Sequence, residues 1–312
     1  MPSDWGNYVR GAVLALQQRY SLHTGIDAVV QGTMPIGGLS SSAAVGVAYL
    51  LALEVANDLD VSPEENIEHD RYIENIYLGL KNGILDQSII LMSDLDHLTY
   101  LDCQSVHFEK YPTPVDNGHF EIVVAYSGLR KSLANTDYNN RVSECQQAAR
   151  MLLRWAGMEV PNPLRLRMVP EEVYQTYADR LPAPLDRRAR HFFTEIQRVR
   201  EGVAAWRTGD LEGMGHLINT SGASSVHDYE SGCPHLRTLY DILRECPGVY
   251  GARFSGAGFR GSCIGLVNPA YREQIVEAID TLYPTAHPDV AEEYSVHFCK
   301  TGGPACQWSE LN

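Results

Sequence analysis

Three short segments carry residues that could do chemistry together. Pro35-Ile36-Gly37-Gly38-Leu39-Ser40-Ser41-Ser42-Ala43-Ala44 places paired glycines before three serines and an apolar run. Glycines let a backbone approach a ligand closely. A helix start offers unpaired N–H groups and a partial positive charge, so such a turn can hold a phosphate, with serine hydroxyls as donors or a Mg²⁺ ligand. The same residues would also serve as a plain turn with serine caps. Neither a Walker loop nor a nucleophile elbow is present, because Gly-Lys-Ser/Thr and Gly-x-Ser-x-Gly are both missing here. Glu74 and Asp86 flank the break Gly79-Leu80-Lys81-Asn82-Gly83. Such a pair could supply one metal ligand and one base, although an Asp near a helix start is also a common cap. The third segment, Phe254-Ser255-Gly256-Ala257-Gly258-Phe259-Arg260-Gly261-Ser262-Cys263, contains Gly-x-Gly-x-x-Gly. A strand-like run follows it rather than a helix, which rules out a dinucleotide fingerprint and leaves a glycine hairpin packed on something close.

The elements that must position these residues are a mixture. Helical spacing predicts helices over 5–20, 41–57, from Ser62 (with Pro63 and Glu65 completing a capping box), 84–92, 138–156, 186–208 and 269–283. Strands are predicted at 26–31, 98–102, 120–126, 249–255 and 262–267, with a boundary in the loop 111–118. The pattern indicates an α+β protein of two lobes, 1–115 and 116–312.

Composition narrows the partners. With 25 Lys and Arg against 39 Asp and Glu the net charge is −14, which argues against a nucleic-acid face while leaving room for a local cationic pocket. No stretch is long and apolar enough for a membrane span, and the first residues do not read as a signal peptide. Seven Cys show no Cys-x-x-Cys pair and eleven His no His-x-x-x-His pair. Scattered thiols of this kind lead us to expect the reducing cytoplasm.

In this order, the three segments resemble the three motifs of the GHMP kinases. Gly83-Ile84-Leu85-Asp86-Gln87 is similar to the galactokinase segment that holds the catalytic aspartate. Trp5-Gly6-Asn7-Tyr8-Val9-Arg10-Gly11, Leu101-Asp102-Cys103, Tyr138 to Cys145 and Pro247 to Arg253 extend the likeness through the chain. Ala257 and Arg260, where galactokinases generally carry glycine, and the basic Lys81 tilt it towards the galacturonokinase branch.

The resemblance implies a two-lobed GHMP-kinase fold, with a ribosomal-S5-like N-terminal lobe, incomplete at its start, and a ferredoxin-like C-terminal lobe. It implies ATP and Mg²⁺ as cofactors and a sugar or uronic acid as substrate. Gly37, Gly38, Leu39, Ser40, Ser41 and Ser42 would wrap the triphosphate, Ser42 and Glu74 would hold Mg²⁺, and Asp86 would take the proton of the C1 hydroxyl. Gly83, Tyr138, Lys81, Arg260, Gly256 and Gly258 would line the substrate site. Lys81 and Arg260 would meet either a C6 carboxylate or the ATP phosphates. Family members also carry an upstream Gly-Glu-His-type motif, and nothing before Asp4 supplies it. Galacturonate is thus the expected substrate, with galactose next. A catalytically inactive sugar- or nucleotide-binding relative is the second expectation, and an unpaired sheet edge in the first lobe would invite oligomers.

Overall fold

The computed structural model describes residues 5–35, 37–80, 82–114, 120–129 and 137–307. The chain forms two compact units, one of residues 1–35, 40–113 and 301–312, the other of 36–39 and 114–300.

In the first unit, α1 (Gly6–Leu16) and α2 (Ser41–Ala56) bury small and aliphatic side chains together, with Ala12, Ala15, Leu16, Leu50, Leu53 and Ile73 in one cluster. α3 (Pro63–Arg71) begins at Ser62, whose Oγ accepts the N–H of Glu65 at 3.2 Å. The Glu65 carboxylate accepts from Arg19 Nη1 at 2.6 Å and from the Tyr20 hydroxyl at 3.2 Å. α3 continues into a single wide π turn, Tyr72–Tyr77, a distortion that often accompanies functional residues. α4 (Leu85–Met92) follows, then the antiparallel hairpin of β1 (His97–Asp102) and β2 (His107–Pro112). The predicted strand at 26–31 does not form. Val29 and Val30 are 96% and 55% exposed and make no ladder. Apolar alternation makes a strand only where a neighbouring strand takes its hydrogen bonds.

The second unit is built on the antiparallel sheet β4-β5-β3-β6, from β3 (Glu121–Tyr126), β4 (Val249–Phe254), β5 (Ser262–Val267) and β6 (Ser295–Cys299). With helices between β3 and β4 and α10 (Arg272–Ala286) between β5 and β6, this is the ferredoxin-like order. Val123, Ala125, Ala252, Phe254, Cys263 and Val267 alternate onto one face and meet α9 (Pro234–Glu245) and α10 through Leu236, Leu239, Leu243, Ile275, Ile279 and Tyr283. α8 (Leu211–His227) lies on β4 so closely that a Cβ on Gly215 would come within 2.2 Å of the Tyr250 carbonyl oxygen. A separate cluster joins α5 (Tyr138–Trp155), α6 (Glu171–Tyr177) and α7 (Leu185–Thr208). Among the described residues no helix is long and apolar enough to cross a membrane.

Candidate active site

The six expected phosphate-loop residues are contiguous, and the Leu39–Ser40 peptide divides them between the two units. In the second unit, Gly37 and Gly38 rest directly on the glycine hairpin more than two hundred residues away. Ser255 Oγ donates to the Gly38 carbonyl at 2.5 Å and Ser262 Oγ to the Gly37 carbonyl at 2.9 Å. Gly261, at φ +100°, lies so near that a Cβ there would stand 2.7 Å from both the Gly37 carbonyl carbon and the Gly38 nitrogen. The neighbour that the hairpin's glycines implied is therefore the Gly37–Gly38 turn. Gly256 faces Gly38, whereas Gly258 packs on Ser231 and Phe254. A chain of contacts anchors this hairpin. Gly232 N–H donates to the Gly258 carbonyl at 2.6 Å. The segment before Gly232 is held by Arg188, which is 1% exposed and bonds Glu144, Glu230 and the Asp228 carbonyl, each at 2.6 Å. Glu144 lies on α5, which begins at Tyr138, and the Tyr138 ring stands edge-on to Phe259 at 6.5 Å. Arg260, half-buried, is the next residue in the hairpin.

In the first unit, Ser40 adopts φ +56° and its side chain makes no cap bond, so the serines are not acting as ordinary caps. A non-glycine residue held left-handed stores strain, typically at a ligand-binding turn. The α2 start therefore keeps its N–H groups free of a side-chain cap, as an anion site requires.

The acids lie one loop further on. Glu74, in the π turn, is 2% exposed, not the surface residue that its polarity alone would suggest. Burial pushes its carboxyl up, while the side chains of Ser42 and Asn82 face it and ease that cost. The loop is latched by Asn75 and Asn82, which exchange bonds of 3.0 and 3.1 Å. Asp86 stands in the first turn of α4. Gln87 Nε2 donates to the Gly83 carbonyl at 3.3 Å. Lys81 lies outside the described residues.

Two residues beyond the expected set join this cluster. The Tyr8 hydroxyl faces Ser42, and burial followed by Glu74 and Asp70 raises its pKa. Asp70, one helical turn before Glu74, is fully buried, and neither of its oxygens has a hydrogen-bond partner. It is seated against Gly46, where a Cβ would come within 2.0 Å of Asp70 Oδ1. Burial, then Glu74, then Asp86, pushes its pKa from 3.8 to about 8. Hydroxyl and carboxylate oxygens suit a hard divalent cation, and Glu74 Oε1 is likewise buried without a partner. The residues present fit Mg²⁺.

Asp70 yields a prediction with a definite sign. Folded, it keeps its proton up to about pH 8, while the unfolded chain loses it near pH 4. Between those values the folded state binds the extra proton, so stability falls as pH rises, by about 1.4 kcal/mol per unit at most. Asp70→Asn removes this slope. Urea unfolding at about pH 5 and about pH 8 should show the variant gaining on the wild type at the higher pH. A gain confined to the lower pH would contradict the assignment.

Residues 7–94 match the GHMP kinases N terminal domain and residues 199–285 the GHMP kinases C terminal domain. The chain is 49% identical over 311 residues to the galacturonokinase of Arabidopsis thaliana, covering 97% of this chain and 73% of that protein. It is 34% identical over 297 residues to the galactokinase of Roseiflexus sp. (strain RS-1), covering 95% and 73%. The crystal structure of Lactococcus lactis galactokinase complexed with galactose superposes with a TM-score of 0.85 at 28% identity, over 96% of this chain and 76% of that one. The chain belongs to the GHMP kinases, as an ATP-using sugar kinase of the galactokinase-like branch.

Proposed function

We propose that the chain transfers the γ-phosphoryl group of ATP to the C1 hydroxyl of galacturonic acid. The observation that carries this reading is the grouping of Ser42, Glu74 and Asp86 in one unit, with Ser42 opening the helix that follows the phosphate loop. Asp86 takes the C1 hydroxyl proton as the sugar oxygen attacks the γ-phosphorus. The bond to the bridging oxygen breaks, leaving ADP and a sugar 1-phosphate. Catalysis of this kind is positioning and charge stabilisation. Gly37, Gly38 and Leu39 with the N–H groups of Ser40 to Ser42 embrace the triphosphate. Ser42 and Glu74 hold Mg²⁺, and Tyr8 fixes the Ser42 hydroxyl. An ion held there would supply charge neutralisation at the triphosphate. Gly83 and Tyr138 line the sugar. Gly256 supports the phosphate loop, and Gly258 keeps the hairpin in place. The two lobes of this scheme follow the two compact units, so that residues 301–312 go with the first and 36–39 with the second instead of a single division at 115/116, and the seven free thiols suit the cytoplasm.

The uronic acid is favoured over galactose by the basic residues Lys81 and Arg260 and by the likeness to a galacturonokinase. A hydrogen bond to a charged group contributes about 1.5–3 kcal/mol, so Arg260→Gly should raise the KM for galacturonate roughly tenfold or more. Galactose turnover should change far less. Equal losses for both sugars would assign Arg260 to the ATP phosphates instead. Calorimetric titration with a non-hydrolysable ATP analogue and Mg²⁺, then with each sugar, tests the whole reading. Tighter binding of galacturonate supports it, and nucleotide binding that no sugar follows overturns it.

A further inference from the structure

Remote from these residues in sequence, the second unit gathers two histidines and an aspartate. His235 lies in the first turn of α9, His287 ends α10, and Asp289 sits in the short turn Pro288–Val290 that follows. One donor atom from each lies within 4.8 Å of the others. We propose that His235, His287 and Asp289 bind a transition-metal dication of the zinc type, clamping the start of α9 to the turn after α10.

The hydrogen bonds already set the rings for ligation. Thr238 Oγ1 donates its single proton to the Pro234 carbonyl at 3.1 Å. Towards His287 Nε2, 2.8 Å away, the same oxygen must therefore accept. The tautomer that completes this pair carries the His287 proton on Nε2 and the lone pair on Nδ1. A ligating histidine is commonly oriented in just this way, by a partner on its other nitrogen. His235 Nε2 faces both Asp289 oxygens, at 3.2 and 3.4 Å. Those separations are close to the roughly 3.3 Å expected between ligands of a tetrahedral zinc ion. On binding, the metal takes the place of that hydrogen bond between Nε2 and the carboxylate, and the neutral His235 ring carries its one proton on Nδ1, as the tautomer that ligates through Nε2.

The frame is rigid where a site needs it. The two imidazoles stack with centroids 4.0 Å apart, and His287 also lies 5.2 Å from the Tyr283 ring. Tyr283 is fully buried and its hydroxyl donates to the Ser127 carbonyl at 2.7 Å. Val290, next to Asp289, belongs to the sheet-facing core. Two imidazoles and one carboxylate select zinc, cobalt or nickel over Mg²⁺, which prefers oxygen ligands and its own waters. Three protein donors leave a position for water.

The test is a Co²⁺ titration of the nucleotide-free chain, read by visible absorption and by thermal unfolding. One equivalent should bind with d–d bands and no thiolate charge-transfer band, raise the melting temperature, and be displaced by Zn²⁺ but not by Mg²⁺. Asp289→Ala, at a side chain 64% exposed, should weaken binding without disturbing the core, and the His235→Gln/His287→Gln pair should abolish it. Thr238→Val should cost about 10- to 100-fold in affinity. The proposal fails if no saturable Co²⁺ binding occurs, if the bands are those of a thiolate, or if the paired histidine variant binds as the wild type does.

Discussion

Replacing Asp86 with asparagine is expected to abolish phosphoryl transfer while leaving ATP affinity nearly unchanged. A positioned general base contributes roughly 10²- to 10⁴-fold to rate, and asparagine keeps the size of the side chain but cannot take the proton. The side chains that face the Glu74 carboxyl are those of Ser42 and Asn82, and both stay in place in the variant, so nucleotide should still bind. A second effect follows from the electrostatics. Asp86 is one of the groups that raise the pKa of Asp70, after burial and Glu74. Its neutralisation should therefore bring the Asp70 pKa down and soften the loss of stability towards high pH. Sugar-dependent turnover at an undiminished rate would remove Asp86 from the mechanism.

The second large effect is predicted far from the phosphate loop in sequence. Gly261→Ala should damage nucleotide binding, because its Cβ would meet the backbone of Gly37 and Gly38 at 2.7 Å and its φ is +100°. Neither rigid backbone can retreat without giving up the bonds from Ser255 and Ser262. A strained backbone of this kind costs about 1–3 kcal/mol before any steric overlap is counted. In a unit of this size each kcal/mol lowers the melting temperature by about 2–4 °C. Gly25→Ala is the matched control, since a Cβ there meets nothing within 4 Å. The expected result is a lower melting temperature and a weaker ATP complex for Gly261→Ala, with no change for Gly25→Ala. Unchanged nucleotide affinity in Gly261→Ala would show that the hairpin does not support the phosphate loop.

Much of the molecule was legible in the sequence where local chemistry decides structure. Ser62 and Pro63 mark the start of α3, and the short apolar runs in Glu121–Tyr126 and Ser262–Val267 mark two buried strands. α8 was not legible. Its glycines, poor helix formers, are retained because Gly215 and Gly222 let the helix lie against Tyr250, Tyr240 and Ala252. β2 was missed for a related reason, since its exposed, polar side chains show little burial pattern. The segment 26–31 erred the other way, with strand-like residues and no partner in the ladder.

The site divides along similar lines. Ser42, Glu74 and Asp86 could be named from motifs, but the fit of the two glycine segments is a tertiary fact that no local pattern records. Asp70 left one usable signal. It precedes Glu74 by one helical turn, and Gly46 in α2 marks where its carboxylate is received.

The most direct measurement is phosphoryl transfer by this chain from Mg·ATP to galacturonic acid, with the product's phosphate position read by phosphorus and proton NMR. The account predicts ADP release that depends on the sugar, a phosphate coupled to the anomeric proton, and faster turnover of galacturonate than of galactose. Sugar-independent ADP release, or a phosphate on any other hydroxyl, would contradict it.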